Sequence, residues 1–497
     1  MSAQPEVGRA ATEARWPILA AAFMAALAAV PIAQAGLQWM IVAFAAVGLG
    51  VVLIATRDRE IAVLMLLIAS LQFLFHKSVG AINEDIHSGA NAIFVNNIDV
   101  MLVVLYALWA SSGRAGAEIA AAMRRREIHL PLIGSLAVIP SILVAQDLSL
   151  SVAEIVRMTW MYLLFLYVAV RVRSRRDVAY IVGAFFVVAA VQMLIAVLQW
   201  RTGSSLGLSF LGEESSLGIR TLDEGEVPRP TGTVVHPIFL AALVAPIGLM
   251  ALSLAMTLRD PRWRAWCLVF AGVAFVPVVL AQARASLVAA AVTLVVLVLA
   301  MLRARRLTIR PILVALGVAA FVGLLFLEPL QQRFADNLGT SQFQLEIESR
   351  MELNAVAVAM ILDHPLLGVG LNQFETVQPE YDTYGLIFAG NPVHNIYLLI
   401  AAETGIVGLA GFFAICWVVL SSALRAVRSR DGLLVGVGAG IAAALLYFAV
   451  EEMLSFALRQ EMPLALFWIL AGLAVACARM ARAEDAAGRR RSLADAP

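Results

Sequence analysis

The chain's 497 residues are 61% hydrophobic and 14% charged, with a mean hydropathy of +0.87. A soluble domain has about 45–50% apolar and about 25% charged residues, so composition excludes a soluble globular protein and points to a polytopic membrane protein. A net charge of +1 names no partner and gives no reason to expect nucleic acid; the information lies in where the charges fall.

In chain order, the polar start "MSAQPEVGRAATEAR" lacks a cleavable signal pattern, and the apolar run after it reads as a first span. A span needs about 20 apolar residues. The sequence predicts about fourteen transmembrane helices, twelve at the least: 17–36, 38–56, 61–76, 98–113, 128–145, 157–171, 178–199, 235–257, 265–282, 285–302, 311–327, 393–423, 433–450 and 462–480. The fold class is all-α, a polytopic membrane helical bundle. Cys267, Cys416 and Cys477 fall inside apolar runs, with neither a disulfide framework nor metal-ligand spacing.

Arginine orients the bundle. With both termini cytoplasmic, the inner segments "TRDRE", "GRAGAEIAAAMRRRE", "RVRSRRD", "RDPRWR", "RARRLTIR", "LRAVRSRD" and the two tails hold 27 of the 36 basic residues, as the positive-inside rule requires. The opposite side holds nine, and four notable loops: 76–99, 201–235, 328–393 and "EEMLSFALRQEM" near 451–462. Structureless loops of such length are usually functional. In the longest, an amphipathic stretch at 346–362 and the turn-rich "DHPLLGVGLNQF" predict a short helical subdomain. The chain thus divides into N-terminal spans (1–200), an outer loop (201–235), further spans (236–327), the long outer loop (328–393), C-terminal spans (394–480) and a cytoplasmic tail (481–497).

The outer side also carries the residues suited to chemistry. "VHNIYLLIAAETGIVGL" (393–409) opens a span with His394 and Asn395 and holds Glu403, Gly405 and Gly408. At helical spacing His394, Tyr397, Leu398, Ala401, Gly405 and Gly408 share a face. The glycines would then seat the helix against a neighbour and hold the histidine at the outer mouth, with Glu403 on the far side. The alternative is an interfacial histidine above ordinary GxxG packing. "AQARASL" puts Arg284 at the outer end of a span, where it either serves a function or snorkels to the interface. "ESRMELN" puts Arg350 in the longest loop, a solvated charge unless other groups gather round it. "PRPTGTVVHP" puts Arg229 and His236 where a loop re-enters the membrane. Arginines clustered outside suit an anionic ligand, because the planar guanidinium fork matches phosphate oxygens.

Taken in order, "RPTGTVVHPIFLA", "QARASL", "SRMELNAVAVAMILDHPLLGVGLNQF" and "HNIYLLIAAETGIVGL" resemble the O-antigen ligase and polymerase superfamily of bacterial membrane glycosyltransferases, over roughly residues 229–425. Ala283 stands where that family's serine usually precedes the arginine, and Leu409 where Thr or Val is common. The resemblance implies a GT-C-like fold in the bacterial inner membrane with a periplasmic active site. It implies en bloc transfer of a glycan from undecaprenyl diphosphate to an acceptor hydroxyl, with inversion and without metal, nucleotide sugar or other cofactor. Arg284, Arg350 and Arg229 match positions that hold the donor diphosphate. His394 matches the group that takes the hydroxyl proton, and Asn395, Gly405, Gly408 and His236 match supporting positions. Implied partners are the lipid-linked donor, a glycan or lipid A–core acceptor, membrane lipids and other polysaccharide-assembly proteins, in O-antigen or exopolysaccharide biosynthesis. Ligase and polymerase both stay open: two long outer loops suit a polymerase, yet only Arg201 and Gly212 show an Arg–x10–Gly spacing. The rival class is a transporter of a lipid-linked or small solute. Against it stand the charges gathered at the outer face and halves that do not repeat.

Overall fold

The computed structural model describes residues 58–73, 76–79, 83, 86–208, 213, 229–303, 341–382 and 390–494. The expected spans at 17–36, 38–56 and 311–327, and much of the outer loop 201–235, lie outside the described residues. The elements are α1 (Arg59–Ser70), β1 (His76–Val79), β2 (Ile93–Asn96), α2 (Asn97–Ser111), α3 (Ala115–Met123) and α4 (Arg126–Leu136), extended by a 3-10 turn at Ile139–Val144. Next come α5 (Leu148–Arg171), α6 (Arg175–Thr202), α7 (Pro237–Thr257), α8 (Pro261–Leu280) and α9 (Arg284–Arg303). The last are α10 (Ser341–Asp363), α11 (Phe374–Tyr381), α12 (Ile396–Ala426), α13 (Gly432–Glu451), a 3-10 turn at Ala457–Arg459, and α14 (Glu461–Ala494).

Among the described residues nine helices are long and apolar enough to cross a membrane, and α2 with α3, bent by 105°, would make a tenth as one broken span. The helix starts follow side-chain capping. Asn96 with Asp99 and Ser174 with Asp177 form capping boxes, while Asp260 and Asp431 accept from the first turns of α8 and α13.

Several expectations need correction. α1 has 12 residues, about 18 Å of helix against a hydrocarbon core of about 30 Å. It stops short of residue 76 because the chain turns into β1, which pairs antiparallel with β2, so the protein is not purely helical. α5 starts at Leu148 and not near 157, since Glu154 and Arg157 neutralise each other at 2.6 Å within the helix. α3 occupies part of the expected inner loop 113–127, and α14 continues past 480 because "ARAEDAAGRR" consists mostly of good helix formers.

Burial separates core helices from lipid-facing ones. In the most apolar 18-residue stretch of each helix, 89% of residues are buried in α7, 83% in α14 and 67% in α13, against 33% in α8 and in α9. α7 packs on α8 and α13, and α14 packs on α5 and α12. A second, smaller core lies outside this one: Leu353, Val356 and Met360 of α10, Phe374 and Val377 of α11, and Ile396, Leu399 and Ala402 of α12. It contains the amphipathic stretch expected at 346–362.

Candidate functional site

The site begins with a break in α12. Gly405 has φ 63° and ψ −166°, so a nine-residue segment, 396–404, is set off from the span that follows. The turn in "DHPLLGVG" fills the break. Val369 and Gly370 donate their N–H groups to the carbonyls of Ala402 and Glu403 at 2.8 and 3.0 Å, and Ile406 N–H donates to Pro365 O at 2.9 Å. A Cβ on Gly405 would lie 2.2 Å from the Leu366 backbone, and one on Gly368 2.4 Å from that of Glu403. The expected continuous face through Gly405 and Gly408 is therefore interrupted. A Cβ on Gly408 would meet Thr404 of the same helix, and the close helix–helix approach is made instead by Gly411 against Gly134.

The start of α12 and Arg350 of α10 contact residues 452–459, the loop between α13 and α14, and the start of α9 contacts Glu451 just before it. Asn395 caps α12 by accepting from Tyr397 N–H at 3.0 Å and Leu398 N–H at 3.2 Å. Ile396 N–H then donates to Glu452 O and Ser455 O at 3.0 and 3.1 Å, which brings the ring of His394 within 5.3 Å of Phe456. Arg350, on α10, donates to Leu454 O at 3.2 Å. Ser286, in the first turn of α9 behind Arg284, donates to Glu451 at 3.1 Å. α9 starts abruptly at Arg284 because Gln282 takes a left-handed φ of 50°. Arg229 donates to Ala281 O at 3.2 Å.

His236 is the N-cap of α7, accepting from Ile238 N–H at 3.2 Å through Nδ1. Its ring lies 5.4 Å from Phe239, which lies 6.2 Å from Phe456. Two glutamines on one face of α6 position this re-entering stretch: Gln199 accepts from Gly232 N–H and donates to Gly232 O, both at 2.9 Å, and Gln192 donates to Thr233 at 2.6 Å. Gly232 is required there, since its φ is 63° and a Cβ would sit 2.1 Å from Gln192.

Arg459 was not singled out from the sequence, although it is one of only nine outer basic residues. It is buried and holds the mouth together. It pairs with Glu403 at 2.9 Å and approaches Glu154 at 3.8 Å. It also donates to Ser88 O at 2.8 Å and to Asn372 at 2.9 Å. Arg157, paired with Glu154, donates to Arg459 O. Glu375 of α11 accepts from the N–H groups of His87 and Ser88, each at 2.9 Å, and from the Ser88 hydroxyl at 3.0 Å. Burial raises the Glu375 carboxyl above its ordinary range, partly offset by these hydrogen bonds and by Arg459. Glu403 thus has a partner of its own in Arg459.

Chemically, guanidinium groups of the type at Arg229, Arg284 and Arg350 and the helix N-terminus at Arg284 suit an anion, and an imidazole suits a proton acceptor. Residues 269–413 match the family model described as O-antigen ligase. The matched stretch contains Arg284, Arg350, His394, Asn395, Gly405 and Gly408, and stops short of Arg229 and His236 on its N-terminal side. No curated protein matches the chain.

Proposed function

We propose that this multi-pass helical membrane protein, whose residues 269–413 match the O-antigen ligase family model, is a member of the O-antigen ligase and polymerase superfamily and transfers a glycan en bloc from undecaprenyl diphosphate to an acceptor hydroxyl on the periplasmic face of the inner membrane. The supporting observation is that the stretches carrying Arg229, Arg284, Arg350 and His394 are tied together: Arg350 donates to Leu454 O and His394 lies by Phe456 in the loop after α13, Ser286 behind Arg284 donates to Glu451 at the end of α13, and Arg229 donates to Ala281 O just before α9. In the step, the acceptor oxygen bonds to the anomeric carbon from the face opposite the leaving group. The carbon–oxygen bond to the diphosphate breaks, and the diphosphate departs with the electron pair. Arg284 and Arg350, with Arg229, stabilise the charge that develops there. His394 takes the hydroxyl proton, and inversion follows from the single displacement. Asn395 fixes the helix start that carries His394, while Gly405 and Gly408 shape its supporting helix. Both termini are cytoplasmic in this reading, in a GT-C-like arrangement.

The test is transfer from a lipid-linked donor by the purified full chain. His394→Ala is expected to fold and to lose about 10²–10⁴-fold in rate. His394→Gln keeps a donor and an acceptor but does not titrate, so near-normal rates across about pH 5–8 in that variant would eliminate the proton-acceptor role. Labelling of Ser204→Cys, but not Arg430→Cys, by an impermeant reagent on intact cells checks the sidedness. Deletion followed by analysis of surface polysaccharide separates the two acceptor classes: single-repeat product marks a lost polymerase, and accumulated lipid-linked polymer with bare core marks a lost ligase.

A further inference from the structure

Next to residues 452–459 lies a cavity of about 340 Å³ between residues 86–94, the middle of α5, residues 234–239 and the start of α14. None of Arg229, Arg284, Arg350 and His394 lines it. The aromatic part of its wall is Trp160, Phe94 and Phe239, and amide groups of Asn91 and Gln460 stand among them. Its charged side chains are Arg157, Arg459, Asp99 and Glu461, and His87 and aliphatic side chains also line it.

Those charges decide what fits. Arg157 is matched by Glu154 at 2.6 Å, and Arg459 by Glu403 at 2.9 Å. Asp99 accepts from Asn96 N–H at 3.1 Å, and Glu461 accepts from the Asn96 amide, leaving each carboxylate further lone pairs. Both cations are therefore already neutralised, and two carboxylates face the space. A diphosphate would be repelled, and a hydrocarbon chain would strip water from charged groups at high cost. A neutral polyhydroxylated ligand meets both demands. Its hydroxyls can donate to carboxylates and bond amides, while the C–H face of a sugar ring lies against an indole or phenyl face. The volume falls at the lower end of the range of about 300–1,000 Å³ usual for small-molecule sites.

We infer that this cavity holds the saccharide of the acceptor, an assignment that rests on the transfer reading above. Geometry joins it to the reaction: Phe239 lines the cavity and lies 6.2 Å from Phe456, which lies 5.3 Å from His394. The bound sugar occupies the cavity, and its reacting hydroxyl extends past the two phenyl rings to the imidazole. The two substrates are thereby sorted by charge, the diphosphate to the arginines and the neutral glycan to the cavity.

The experiment uses the full chain in nanodiscs and, as probe, delipidated oligosaccharide released by mild acid from the producing bacterium's own surface polysaccharide. Saturation-transfer NMR or calorimetry should detect binding to the wild type. Trp160→Ala should weaken it about tenfold or more, and Trp160→Phe should keep most of it. Val235→Trp, at a cavity-lining side chain that is 55% exposed, should block it by filling space without removing a core contact. Inorganic diphosphate should not compete. In transfer assays Trp160→Ala should raise the KM for acceptor and leave that for the lipid-linked donor unchanged. Unaltered oligosaccharide binding in both Trp160→Ala and Val235→Trp, or competition by diphosphate, overturns the assignment. A wild type that transfers no glycan, yet binds the oligosaccharide in this Trp160-dependent way, overturns the transfer reading and keeps the cavity as a saccharide site.

Discussion

At one end of the bundle Arg171 meets Glu60 at 2.7 Å and Glu118 at 2.9 Å, and Arg175 meets Asp431 at 2.8 Å and Glu484 at 2.6 Å, with the Arg175 side chain 59% exposed. At the other end Arg459 is 8% exposed and its partner Glu403 fully buried. Water and salt screen the exposed Arg175 pairs, so each adds little, while the Arg171 pairs are partly buried. The second set has lost its water, so each member depends on the others. The same residue types thus fasten loops loosely at one face and build a rigid mouth at the other, where the candidate site lies.

The contrast is broken most severely by Arg459→Ala. It leaves Glu403 buried without a counter-charge, while Glu154 keeps Arg157, and should cost about 3–5 kcal/mol, seen as lost folded protein or a large fall in thermal midpoint in detergent. Arg459→Met combined with Glu403→Met should recover part of the loss. Gly405→Leu comes next, at about 2 kcal/mol or more, because it combines a left-handed backbone with overlap against Leu366. Gly408→Ala should cost less, since its added carbon meets only the Thr404 side chain. Equal losses from the two glycine variants would show that the break in α12 is not what Gly405 supplies.

Glu375 provides a pH test of smaller effect. Its folded carboxyl is raised by burial, so the folded state holds the proton more firmly than the unfolded one. Stability is then greatest below the ordinary glutamate value, about 4.3, and falls as pH rises through the folded value. Melts of Glu375→Gln from about pH 4 to 8 should show a shallower decline than the wild type; identical slopes would contradict this. Smallest is Arg175→Ala, within about 1 kcal/mol, checked by the same melts with and without added salt. A loss as large as that of Arg459→Ala would erase the distinction between the two ends.

Apolar length and arginine placement carry the helices, because a bilayer reads both directly. α6, α7, α9 and α13 lie close to where the composition puts them. Short motifs led to Arg284 and His394, which stand at the ends of apolar runs where a charge or imidazole has to be accounted for, and to Arg350 in the longest outer loop. The break at Gly405 was not legible: in one dimension it fits a small-residue stripe, and the N–H groups that satisfy the freed carbonyls come from Val369 and Gly370. Arg459 was legible only in part. Its rarity as an outer cation was visible, but its partners at 88, 154, 372 and 403 come together only through packing.

The position of Arg459 along the chain has a consequence for biogenesis. Glu154, Glu375 and Glu403 are all synthesised before the cation they share, and chains are made N-terminus first. Until the loop ahead of α14 has been inserted, the emerging protein holds these acids without Arg459. The outer subdomain therefore reaches its final packing only when the last helix arrives. Chains truncated before residue 459 should remain chaperone-bound or be degraded, even though their earlier helices are apolar enough to enter the membrane.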